Sequence, residues 1–107
     1  MVETVVQAEP FILRRLGYTY DNSHWWKNNK ISNTPRMNAM TTLVRIWKTM
    51  PDHFRMTTEL RGDKWIVAIN CIWHNVAYLQ WAESPHLTWA YAIVTGRLLE
   101  EMEINSN

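Results

Sequence analysis

Between residues 38 and 103 the spacing of apolar side chains changes from three-and-four to two, and then back to three-and-four. That order reads as helix, strand, strand, strand, helix, which points to a single small α+β domain. Met40, Leu43, Val44, Trp47 and Met50 recur at helical spacing behind Asn38, a side chain suited to an N-cap, and Pro51 closes the segment near Met50. Phe54, Met56, Thr58 and Leu60 then alternate with Arg55, Thr57, Glu59 and Arg61, so this strand has one wet face. Gly62-Asp63 is a two-residue hairpin signal.

The next strand, residues 64–72, does not alternate. Trp65, Ile66, Val67, Ala68 and Ile69 run together, as in strands buried on both faces. Ile66 and Val67 are therefore both expected to be buried, although they point to opposite faces. Trp73-His74-Asn75 turns the chain into a similar strand over 76–82. Ser84-Pro85 then opens a last helix with Leu87, Ala90, Tyr91, Val94, Leu98 and Met102 on its buried stripe, and with Arg97 and Glu101 outside it. Gly96 in that helix suits close approach to the sheet. Upstream, Pro10, Phe11, Ile12 and Leu16, followed by Gly17, mark a short helix over residues 9–16. The expected architecture is a small antiparallel three-stranded sheet packed between helices, in the order α-β-β-β-α after the short N-terminal helix. It forms one domain over residues 9–103, with frayed termini at 1–8 and 104–107.

The whole chain has 107 residues and is 47% hydrophobic, enough for one packed core without disulfides. Its lone cysteine, Cys71, fits a reducing compartment. No signal-like segment opens the sequence, and no apolar run approaches the roughly 18 residues that cross a bilayer. These features lead to the expectation of a soluble cytoplasmic protein with no membrane partner. Charge is uneven: residues 1–50 hold seven Lys/Arg against three acids, and residues 51–107 hold four against seven. Such asymmetry suits ordinary surface variation, a nucleic-acid face, or two surfaces that attract each other between protomers.

Residues 18–37 are rich in turn formers and read as an irregular loop carrying Tyr18, Tyr20, Trp25 and Trp26. Three short features resemble the small bacteriophage proteins that carry a phage α-β-α sandwich domain. They are the step Leu16-Gly17-Tyr18 after the first helix, the pair Trp25-Trp26 before the next helix, and Ser84-Pro85 before the last. The resemblance covers about residues 11–102 and implies a phage or prophage origin. It brings no established activity and no site residues.

Candidate chemistry is sparse. Cys71 and His74 have Cys-x-x-His spacing, with His24, His53 and His86 elsewhere, but structural zinc needs paired motifs, so no metal is expected. Asp52, Asp63, Glu83 and the histidines form no recognisable acid–base set, a nucleophilic Cys71 would need a nearby base, and three glycines make no phosphate loop. No enzymatic activity and no cofactor are expected. Arg61-Gly62-Asp63 resembles an adhesion tripeptide but reads as a hairpin turn.

The tryptophans are more informative. Of seven, Trp47, Trp65, Trp81 and Trp89 sit on periodic elements and are assigned to the core, while Trp25, Trp26 and Trp73 sit in loops or turns. Exposed tryptophan is a common binding anchor. The expected binding surface is Trp25, Trp26, Lys27 and Lys30, with at least one of the two tryptophans exposed. The function expected is a phage-encoded, non-enzymatic binding protein that modulates a host or phage protein. The alternative is a nucleic-acid accessory protein, since aromatics interleaved with lysine also stack bases and meet phosphates. Nothing in the sequence specifies the partner's identity or the oligomeric state.

Overall fold

The computed structural model describes residues 1–51 and 53–106. The Thr4 hydroxyl accepts the Gln7 N–H at 3.1 Å, which caps a first-turn donor and starts helix α1, Val5–Arg15. The helix thus begins four residues earlier than expected and carries Pro10 inside it. Proline withdraws the hydrogen bond to the carbonyl of Val6, and Val6 faces water, which can take that bond over. The expected fraying of residues 1–8 is corrected as well. Val2 is buried, its N–H donates to Glu100 Oε1 at 3.3 Å, and its carbonyl accepts from Arg97 Nε at 2.6 Å.

The expected loop at 18–37 contains three short strands: β1 (Thr19–Asp21), β2 (His24–Lys27) and β3 (Lys30–Ile31), antiparallel in that order. Asn22-Ser23 and Asn28-Asn29 join them, with all four residues at φ between 50 and 64°. A two-residue type I′ hairpin needs that left-handed pair, and asparagine tolerates it best among residues with a side chain. Helix α2 follows at Met40–Trp47, with Ala39 rather than Asn38 at its N-cap, and it stops short of Met50.

The main sheet is an antiparallel meander of β4 (Arg55–Arg61), β5 (Lys64–Trp73) and β6 (Val76–Ser84), with β5 central. Strand β6 runs on to Ser84, whose Oγ accepts the His86 N–H at 3.1 Å. Helix α3, Leu87–Asn105, therefore starts beyond Pro85 with His86 at its N-cap. The α+β class, the three-stranded sheet and the order of elements agree with the sequence reading.

The layering does not. Helix α3 lies on one face of the sheet, against Val67, Ile69, Cys71, Tyr78 and Ala82, while α1 and α2 pack on α3. Val67 is fully buried but Ile66 is only half-buried, and no described residue on the far face of the sheet is buried. The reason lies in α3, where Ala90, Ala92, Ile93, Val94, Leu98, Leu99 and Met102 are buried around most of the circumference. A helix apolar on nearly every side needs cover on every side. It takes up α1 and also α2, the long helix that the sandwich had assigned to the second face of the sheet. Three smaller corrections follow. Gly96 makes its close approach to α1, since a Cβ there would lie 2.5 Å from Ala8 Cβ. Arg97 and Glu101 are half-buried rather than outside. Trp81 and Trp89, assigned to the core, are 55% and 46% exposed.

Candidate functional site

The four residues singled out by sequence fall on the small sheet. Pairing sets Tyr20 opposite Trp25 and Lys27 opposite Lys30, so these four share one face. Trp26 lies on the other face with Thr19 and Ile31. The structure therefore separates the adjacent tryptophans that the sequence treated as one feature. Both are half-buried. Trp25 leans on the core, and its ring centroid is 5.0 Å from that of Tyr20. Trp26 donates its indole N–H to the Asp21 carbonyl at 3.0 Å and floors a hollow of about 480 Å³ rimmed by Asp21, Asn22, Asn28 and Asn29. The exposed aromatic is Tyr20, at 60%. Nothing in the sequence set it apart from Tyr18, which is buried under Lys27, with the ammonium 4.8 Å from the ring centroid.

Lys27 and Lys30 face each other directly, and neither makes an ion pair among the described residues. Like charges set opposite each other across a strand pair are destabilising. Here they flank the Asn28-Asn29 turn, so the hairpin sets two lysines side by side near its tip, with the Lys27 ammonium over the Tyr18 ring.

A second surface was missed by sequence reasoning: the far face of the main sheet. On β4 it presents Arg55, Thr57, Glu59 and Arg61, all polar. On β5 and β6 it presents Ile66, Ala68, Asn70 and Ile72 with Ala77, Leu79 and Trp81, apolar except for Asn70. Leu79 is 67% exposed and Ile72 49%. Lys64 and Glu83 form an exposed pair at 3.8 Å at one end of this apolar half. The available signal was the unbroken run at 65–69, which also suits a strand with one face open for a partner.

The remaining candidates are dispersed. His24 lies on β2, His53 just before β4, His74 in the β5–β6 turn and His86 at the start of α3. Among the described residues no group of three or more His, Cys, Asp or Glu converges. Asp52 lies outside the described residues. Burial, and then the Glu101 carboxylate, pushes the Cys71 thiol up, which disfavours the thiolate a nucleophile needs. Among the described residues no helix is long and apolar enough to cross a membrane. Comparison with family models, with curated proteins and with solved structures finds no match. The likeness to the phage domain thus rests on the three short features quoted for it.

Proposed function

We propose that this chain is a non-enzymatic binding protein whose small sheet docks an acidic surface of a protein partner. The observation that carries this reading is the opposed pair Lys27 and Lys30, with no ion-paired acid among the described residues, beside the exposed ring of Tyr20. Carboxylates of a partner would relieve the repulsion between the lysines, and Tyr20 supplies an amphipathic anchor whose ordering costs little entropy. With the phage resemblance added, the role is that of a phage-encoded protein acting in the host cytoplasm on a host or phage protein. Trp25 and Trp26 act mainly by holding Tyr20 and the hairpin tip in place.

The second reading is a single-stranded nucleic acid. It is favoured by the same face, where the mutually tilted rings of Tyr20 and Trp25 lie next to two cations. One experiment separates the two readings. Host lysate, with and without nuclease treatment, is passed over the wild-type chain and over the Lys27→Glu/Lys30→Glu variant. The protein reading expects a nuclease-resistant partner whose affinity for the variant falls at least tenfold, about 1.4 kcal/mol, with an unchanged melting temperature. Loss of the bound material on nuclease treatment, together with a steep salt dependence, would select the nucleic-acid reading. Equal recovery on both columns would remove the small sheet as the binding surface.

A further inference from the structure

We infer that the far face of the main sheet, which the small-sheet reading does not use, is the interface between two copies of this chain, packed sheet on sheet about a two-fold axis. The axis would run parallel to the strands, midway between β5 and β6.

Three features place it there. The first is the polar boundary. The far-face side chains of β4 are all polar, whereas those of β5 and β6 are mainly apolar. A contact centred between β5 and β6 buries the apolar half and leaves β4 in water beyond its edge.

The second is shape. Across the β5–β6 ladder, Ala68 is paired with Trp81, and Ile72 with Ala77. These two rows thus couple a small residue with a large one, and between them Asn70 is paired with Leu79. A two-fold along the strands lays β5 of one copy over β6 of the other without shifting the rows. Trp81 then meets Ala68 of the second copy, and Ile72 meets Ala77 of the second copy. Large against small is how packed layers interdigitate. Sheets packed face to face cross at about 30°, so the middle row, Ala68 and Trp81, keeps this register best.

The third is charge. The same rotation sets Glu83 of the second copy above β5, next to Lys64, and does the reverse across the axis. The pair seen within one chain at 3.8 Å becomes a ring of four alternating charges at the rim. A foreign partner would not need the Ala68–Trp81 and Ile72–Ala77 rows to complement themselves in this way. The footprint of two strands is roughly 300 Å² from their spacing and rise, below the roughly 800 Å² per partner of a standard interface. The dimer should therefore dissociate on dilution.

The experiment is sedimentation equilibrium on the whole chain between about 1 μM and 1 mM, with circular dichroism as a check on folding. The wild type is expected to move from 12.8 kDa towards twice that mass as concentration rises. Trp81→Ala leaves a hole, and Ala68→Trp sets two indoles against each other. Each should weaken the dimer at least tenfold. The double variant Ala68→Trp/Trp81→Ala exchanges knob and hole between the facing strands and should recover most of the lost affinity. A wild type that stays monomeric throughout, a dimer that neither single variant weakens, or a double variant no better than the singles would each overturn the inference. None of these outcomes bears on Lys27 and Lys30, so the small-sheet reading stands or falls by its own test.

Discussion

The indole N–H of Trp47 on α2 donates to the buried hydroxyl of Thr95 on α3 at 2.9 Å. It is the one side-chain hydrogen bond described between these helices, and it sets a polar contact inside an otherwise apolar seam. Thr95→Val keeps the shape but leaves the indole without its acceptor, and should lower stability by about 1 kcal/mol. Trp47→Phe removes the donor from the other side. A double-mutant cycle read by urea unfolding should return a coupling of about 0.5–1.5 kcal/mol. A coupling near zero would show that water replaces the bond at no cost.

Gly96 presents two opposing effects. Alanine is favoured over glycine inside a helix by about 1 kcal/mol, but its Cβ would lie 2.5 Å from Ala8 Cβ and 2.9 Å from Ala8 Cα. Backbone atoms of α1 cannot swing aside as the end of a long side chain can, so Gly96→Ala should destabilise by about 1–3 kcal/mol despite the better propensity. Ala8→Gly alone should cost about 1 kcal/mol, and in the Gly96→Ala background it should instead restore stability. That reversal of sign, measured by thermal melting, is the signature of contact between the two helices.

Leu98 and Trp81 should respond in opposite ways to truncation. Leu98 is fully buried, so Leu98→Ala should cost about 2–5 kcal/mol in chemical unfolding. Trp81 is the larger side chain but is 55% exposed, and in dilute protein Trp81→Ala should stay within about 1 kcal/mol. Similar losses at both positions would mean that the far face of the sheet is covered even in the monomer.

The thiol of Cys71 is held above its ordinary range by burial and by Glu101. The unfolded chain then gives up this proton first as pH rises. The contribution to stability is fully present below about pH 8.5, the unfolded thiol's range, and is lost as pH climbs through the folded value. Stability of the wild type should therefore fall above about pH 8.5 more steeply than that of Cys71→Ala. Alkylation of Cys71 under native conditions at pH 8 should be slow and should track unfolding.

Patterns of alternating and helical spacing made the main sheet and its order legible, because residues 55–61 and 87–102 repeat with periods that only one kind of element satisfies. The small sheet was not legible. Its strands of two to four residues are too short to show a period, and the Asn-Asn and Asn-Ser turns that build it look the same as those of a loop. The layering was lost for a different reason. A run such as 65–69 shows that both faces are apolar but does not say whether the cover comes from the same chain. Tyr20 escaped notice because its exposure depends on Trp25 turning toward the core, and that is settled by register in strands the sequence did not reveal.

Helix α3 is the element on which α1, α2 and the main sheet all pack, and every one of them precedes it in the chain. During synthesis, residues 1–84 emerge with their apolar faces made and nothing to lay them against. Local hairpins can close on the way out, but the core cannot assemble until α3 has cleared the ribosome. Folding should therefore come late and in one cooperative step, and a chain stalled before residue 87 should be a substrate for chaperones and proteases.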